Sequence, residues 1–468
     1  MQTGFPNSGK TLVLEIDVVP ASIDPLQIAD FAGRFVTAFT SRTLFRSAEW
    51  GRPVKEGILR RAEPRDGGLI WRLFADETAI WSNGRGLTLA DINDGLVRSC
   101  TRASGPLGWL GALIAKSSRV GSDALDVELT RPVACFPEML TSDIFSPVAE
   151  RPEAVTGCYN FVGGLGGRAL VLCKNEVGDR LWADGPDEVI FVVTDSPEQG
   201  VRLFERRAVD VTCNPNLPLR DLARYRGSAS LRQRDLQLGG VLLFASELLR
   251  GADARDARRA IARAIPRRMI AEALAGSLSP LCSMSALWNA PEAVATAADP
   301  DDVRPAQITT DLGCLVLGYA DFHPNRTVAD HIAEGLRSRA GLRVETRALD
   351  YRSYLACLAR PTVDLLYSLV QPAYPDPTSF LANLRASGWI DLQRADFGAA
   401  LAEAEQSFDR EDRLAACCRA ERIMQEETPL VPIARAVSKC LVSEQAAALE
   451  LGPDGIFRPP LVREGAMS

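Results

Sequence analysis

Between residues 312 and 370 the chain alternates short apolar runs with helical ones, and this order restricts the fold more than any other feature. Leu312 to Tyr319 reads as a strand. A helix capped by Thr327 and ended at Gly341 follows, then a strand from Leu342 to Leu349, a short helix, and a strand from Val363 to Val370. Strands that return through helical crossovers pair in parallel and need helices over them. The expected fold class is therefore α/β. With 468 residues the chain should hold two or three structural units. At 46% apolar and 24% charged residues it can bury a large core.

The rest of the chain fits mixed α/β units. A β-branched run from Leu12 to Val19 stops at Pro20, and "PASIDP" then turns at Asp24 before Pro25. A helix is expected from about Leu26 to Thr40. Residues 41–155 read as a small mixed unit. In it "LIWRLFADETAIWSNG" alternates and then turns at Asn83-Gly84, and Thr88 caps a helix with apolar residues at helical spacing. Gly157 to Phe161 opens a further sheet. The four glycines of "GGLGGR" lie between two strands, which suits a hairpin loop better than a dinucleotide fingerprint. Ser196 caps a helix with Pro197 at its first position. "LQLGGVLLFASELL" is a strand leading out of this unit. Pro266 divides two helices, the second ended at Gly276, and 289–306 is a surface connection. Two helices, from about Asp396 to Phe408 and from Arg410 to Glu427, follow the "QPAYPDP" loop.

Several functions are disfavoured at this level. "GFPNSGKT" (Gly4 to Thr11) matches the phosphate-loop template, but it precedes a strand where the chemistry needs a strand before and a helix after. A net charge of −7 without charge blocks argues against nucleic acid or a membrane surface as partner. No apolar run approaches the ~18 residues of a membrane span. No secretory pattern frames the early apolar run. The eleven cysteines are odd in number, lack a C-x-x-C pair and sit largely in apolar stretches, as do Cys173 and Cys314. They read as reduced thiols, so a cytoplasmic location is expected. The two histidines, His323 and His331, have no zinc-site spacing, and neither metal nor cofactor is expected.

Five landmarks carry a family resemblance. They are "PASIDP" (Pro20 to Pro25), "WSNG" (Trp81 to Gly84) followed by "LTLADI", "TGCYNF" (Thr156 to Phe161), "ARRAIARAIPRRMI" (Ala257 to Ile270) and "YPDP" (Tyr374 to Pro377) after a strand. In this order and spacing the chain resembles the family 5 solute-binding proteins of bacterial ABC transporters, the dipeptide/oligopeptide/nickel-type class, over about 10–465. The resemblance implies a periplasmic-binding-protein-like fold (type II, class C). Lobe I would comprise 1–40, 156–240 and 430–468, with an extra small mixed α/β subdomain at 41–155, and lobe II would comprise 241–429. Ligand would be enclosed between hinged lobes.

The sequence departs from this pattern in lacking a secretion signal and in one binding position. Peptide binders of the family commonly read A-D-Y before the P-D-P loop, and the aspartate pairs with the ligand's α-ammonium. Here Ala373 stands in that place, and a buried ammonium without its carboxylate is costly by about several kcal/mol. One expectation is a cytoplasmic homologue repurposed as a cofactor-free acid/base enzyme. Its guest would be an amino acid, peptide or aromatic amine, with an aldehyde as co-substrate. Pictet–Spengler-type closure of a tryptophan-like amine is the specific form, since an amine freed of its carboxylate stays neutral and nucleophilic. The alternative is the substrate-binding component of a peptide/nickel-type importer, with an ABC permease as partner.

Candidate residues follow from the resemblance and the residue types. Glu247 and Asp376 are candidate acid/base groups, against a solvated surface role for Glu247 and a turn or cap role for Asp376. Asp24, Trp288, Ala373, Tyr374 and Trp389 are candidate ligand-binding residues. Asp24 reads first as a turn cap, and the tryptophans either stack on an aromatic ligand or pack in the core.

Overall fold

The computed structural model describes residues 10–461 apart from 29, 49–51, 103–106, 150–153, 166, 214–218, 275–276, 289–311 and 391–393. Most of "GFPNSGKT", Gly276 as a helix end and the 289–306 connection thus lie outside the described residues. The chain divides into two compact units, 1–233 with 439–468, and 234–438. Two long strands, Leu231–Phe244 and Leu430–Leu441, run through the division.

The first unit holds a four-stranded sheet in the order Thr11–Ile16, Glu188–Val193, Ala169–Lys174, Tyr159–Leu165. The first pair is parallel, in register from Thr11 opposite Glu188 to Ile16 opposite Val193. The other two pairs are antiparallel. In "GGLGGR", Gly163 to Leu165 end one strand and pair antiparallel with Ala169 to Val171 of the next, as a hairpin requires, and Gly166 lies outside the described residues. The helix Phe31–Thr40 covers the sheet. It starts later than the expected residue 26 because Asp30 caps it, its Oδ1 accepting from the Gly33 amide. Phe35, Phe39 and Phe191 pack edge-on with ring centroids 5.1–5.5 Å apart across Phe191, and Tyr159 and Trp182 extend the cluster.

The same unit carries a second sheet, in the order Leu59–Arg65, Ile70–Ala75, Ala124–Leu129, Ile114–Val120. Here the period-2 pattern works as expected. Trp71, Leu73, Leu125 and Val127 are buried on one face, while Arg72 and Asp126 pair through two 2.7 Å bonds on the other. The helix Leu89–Arg102 starts at Thr88. The Thr88 hydroxyl accepts from the Asp91 amide while the Asp91 carboxylate accepts from the Thr88 amide, a reciprocal cap.

The second unit is built on a six-stranded sheet in the order Leu278–Pro280, Leu430–Leu441, Leu231–Phe244, Leu365–Val370, Cys314–Ala320, Arg343–Leu349. The last three strands are mutually parallel, as the alternating order requires. The helix Asn325–Ala340 begins at Asn325 after Pro324 rather than at a Thr327 cap. It ends where expected, at Gly341 in the left-handed conformation (φ 69°). Cys314 opens its strand and is exposed, and Cys173 is half-buried, so these two are not the core thiols that their apolar neighbours suggested. Cys158 is one, and burial pushes its thiol up to about 12.

Pro266 does divide two helices, Arg255–Ala264 and Arg267–Ala273, and the arginines of this motif have a physical task. Arg258 is buried, and its guanidinium donates to the carbonyls of Leu249 (2.9 Å), Gly251 (2.7 Å), Glu427 (2.7 Å) and Thr428 (3.0 Å). Arg267 likewise donates to Pro432 (2.8 Å) and Leu281 (3.2 Å). Carbonyls left over at the end of the helix Arg410–Glu427 thereby find donors. No helix among the described residues is long and apolar enough to cross a membrane.

Arg258→Met should leave these carbonyls without their donors and lower the stability of the second unit by about 3 kcal/mol in urea unfolding. Arg258→Lys should recover little, because an ammonium cannot reproduce the fork.

Candidate functional site

In an open sheet with parallel strands, ligand-contacting loops collect at the carboxyl ends of the strands, where successive crossovers depart in opposite directions. Among the described residues the second unit has one such point. From Cys314–Ala320 the chain crosses to Arg343–Leu349 on one side, and the next strand, Leu365–Val370, pairs on the other side. The loops that leave Ala320 and Val370 therefore flank the switch. They are Asp321 to Pro324, and Gln371 to Pro377.

The second of these loops contains three candidate residues, all buried: Ala373, Tyr374 and Asp376. The Ala373 amide donates to the Ser379 hydroxyl at 2.6 Å, and the Tyr374 hydroxyl meets Thr378 Oγ1 at 3.1 Å. Asp376 has no exposed surface. One carboxylate oxygen accepts from the Thr378 amide (3.0 Å) and hydroxyl (2.7 Å), and the other pairs with the Arg413 guanidinium. Its oxygens are committed to holding the turn into the helix Thr378–Ala386.

The other candidates are placed differently. Trp288 is 3% exposed and packs edge-on against Phe380 at 6.1 Å, next to the loop in sequence. The turn that carries it, Met284–Trp288, is held by the buried Glu421, which accepts from the amides of Met284 and Ser285. Trp389 is half-buried, its indole 6.0 Å from the Arg250 guanidinium, and Arg250 also donates to the Gly388 carbonyl (2.7 Å). Glu247 is exposed at the first position of the four-residue helix Glu247–Arg250. Asp24, in the first unit, is half-buried and accepts from the Leu26 amide at 3.0 Å, the turn geometry that its Asp-Pro context suggests.

The switch also brings in two residues outside the candidate set. His323 and Phe322 are exposed on the loop after Ala320, where Asp321 and Arg326 pair at 3.2 Å. The signal that could have found them is position. They stand immediately after the first strand of the β-α-β-α-β order, where such loops work.

The first unit has its own pair of parallel strand ends. Ile16 and Val193 lie level, and Asp17 and Thr194 follow them. Val18 and Val19 beyond Asp17 are exposed. Glu15 is buried and accepts from the Cys213 amide (2.8 Å) and from the Thr194 hydroxyl. Gly200 leaves room for it, since a Cβ there would lie 2.0 Å from Glu15 Oε2. Burial raises the Glu15 carboxyl above its ordinary 4.5 against the hydrogen bonds of Thr194 and Cys213. Asp17 is raised too, first by desolvation and then by the nearby Asp30. Among the described residues no group of three or more His, Cys, Asp or Glu is placed to hold a metal ion.

Two outcomes follow. A raised folded-state carboxyl contributes stability that is full below the unfolded value and lost as pH rises through the folded one. Glu15→Gln should therefore reduce the fall in stability above pH 4.5, measured by urea unfolding across pH. Trp288→Ala should cost about 3–5 kcal/mol by the same method, and Trp389→Ala far less, because only the former is packed on all sides.

The comparisons bear on the family and the fold. The model of bacterial extracellular solute-binding proteins, family 5 (middle region) matches residues 53–391. No curated protein sequence matches. Among solved structures, the Escherichia coli murein tripeptide binding protein MppA superposes with a TM-score of 0.76 at 17% identity, over 97% of this chain and 96% of that one. OppA of Burkholderia pseudomallei gives 0.76 at 16% identity over 97% and 98%. NikA of Staphylococcus aureus in complex with Ni(L-His)2 gives 0.75 at 14% identity over 97% and 99%. With the family model covering most of its length, the chain belongs to family 5 of the bacterial extracellular solute-binding proteins.

Proposed function

We propose that this protein captures a small amino-acid- or peptide-like solute as the substrate-binding component of a peptide/nickel-type ABC importer. The observation that carries the reading is the family match across residues 53–391. The loops at the parallel strand ends of each unit are the solute-contacting segments in this reading. The relatives named murein tripeptide binding protein and NikA in complex with Ni(L-His)2 supply the solute classes to try first.

Ala373 refines the solute class. At this position the resemblance implies that peptide binders of the family commonly place an aspartate that pairs with an α-ammonium, and here a buried methyl group stands instead. A solute whose amine is blocked or absent suits it better, since an unpaired buried ammonium costs several kcal/mol. The condensing-enzyme reading draws no support from its two acid/base candidates. Glu247 stands exposed on a short helix, and Asp376 is locked to Arg413 and Thr378.

A second reading keeps solute capture but places the protein in the cytoplasm, without a permease. The eleven unbridged cysteines favour it, because such thiols suit a reducing compartment. Cell fractionation separates the two: recovery outside the cytoplasmic membrane supports the importer component, and recovery with cytosolic markers supports the second reading.

Solute capture is tested by calorimetry of the full chain with alanyl-phenylalanine, its N-acetyl derivative and Ni(II) with L-histidine. The N-acetyl form should bind the natural chain more tightly than the free dipeptide. Ala373→Asp should reverse that order by about tenfold or more, since charge-assisted pairing is worth over about 1.4 kcal/mol. Tighter binding of the free dipeptide by the natural chain would overturn the refined solute class. Failure of the panel and of a wider peptide and amino-acid library would overturn solute capture.

A further inference from the structure

We propose that Arg413 is a positioning residue for the segment Ala373–Tyr374, acting through Asp376 and Thr378. This rests on the reading of that segment as part of the solute site. The loop between Val370 and Thr378 contains Pro372, Pro375 and Pro377, so three of its residues have no amide to donate. Side chains must hold what backbone hydrogen bonds cannot.

They do so in a chain of contacts. The Ser379 hydroxyl accepts from the amides of Ala373 (2.6 Å) and Tyr374 (3.3 Å), and Thr378 Oγ1 meets the Tyr374 hydroxyl. Thr378 is bonded twice to one oxygen of Asp376. The other oxygen pairs with Arg413, which stands on a different helix, Arg410–Glu427. Arg413 also donates to the carbonyls of Ser407 (3.0 Å) and Phe408 (3.4 Å), so it ties the loop to the turn before its own helix. Asp376, Thr378 and Ser379 are 0% exposed and Arg413 is 2% exposed.

A buried ion pair adds little net stability over a well-packed apolar pair of the same volume. What it does supply is direction, because the guanidinium fork and the carboxylate accept only a narrow set of relative positions. The pair thus fixes where Ala373 and Tyr374 stand before any solute arrives. A segment ordered in advance spares the solute the entropy of ordering it.

The test is amide hydrogen exchange on the full chain without solute, read by mass spectrometry for the natural protein and for Arg413→Lys, Arg413→Met and Asp376→Asn. Arg413→Met should speed exchange of the amides within 371–380 about tenfold or more, with the strand Leu365–Val370 unchanged. Arg413→Lys should fall between, as the charge persists without the fork. Asp376→Asn should loosen the same stretch, and it carries the test with Arg413→Lys if Arg413→Met does not fold. Unchanged exchange in 371–380 would overturn the proposal. So would an equal rise throughout the second unit, the mark of a merely structural pair. Since no solute is present, neither result depends on the binding assays, and a failure of solute binding leaves this readout intact.

Discussion

The parallel crossover governs how the second unit presents its chemistry. Once Cys314–Ala320, Arg343–Leu349 and Leu365–Val370 run the same way, their following loops must emerge at one edge of the sheet. The reversal of strand order then brings the loops after Ala320 and Val370 to the same point. Residues some fifty positions apart in the chain, such as His323 and Tyr374, share that edge for no reason visible in either segment alone. The first unit obeys the same rule on a smaller scale, with Asp17 and Thr194 following strand ends that lie level.

Both units handle buried carboxylates in one manner. Glu15 takes an amide and a hydroxyl, Glu421 takes two amides and a hydroxyl, and Asp376 takes an amide, a hydroxyl and a guanidinium. In each case a charge removed from water receives several donors, at least one of them from a segment distant in sequence. Each carboxylate therefore cross-links loops near the strand ends. Glu421 holds the turn of Trp288, and Asp376 holds the turn of Tyr374. The arginines act as the complement, Arg258 collecting carbonyls at helix ends and Arg267 those of Leu281 and Pro432. The polar interior of this protein thus fixes loop position as much as the apolar core fixes the elements.

Local signals were readable where one residue's chemistry decides. Ser196 and Pro197 start a helix, Thr88 caps another, Gly341 ends a third in the left-handed conformation, and the strands on either side of "GGLGGR" pair antiparallel. They failed where a neighbour in space competes. Asp30 rather than the residues after Pro25 starts the first helix, and the helix after Pro324 opens before Thr327. Apolar flanks suggested a buried Cys314, yet it opens its strand and is exposed. Of the candidate site, the "QPAYPDP" loop was legible from family resemblance. His323 and Phe322 were not, because their claim rests on strand order and not on residue type. For Asp376 the sequence showed a carboxylate between prolines, and nothing in it pointed to Arg413, which lies on another helix.

The sequence by itself determined the order of strands and helices, the parallel direction that this order demands, and the family, because hydrophobic period and turn chemistry act over a few residues. Only the tertiary structure decided which loops meet and which carboxylate finds which cation. Those outcomes depend on contacts between segments far apart in the chain, and no local pattern encodes the partner of a buried charge.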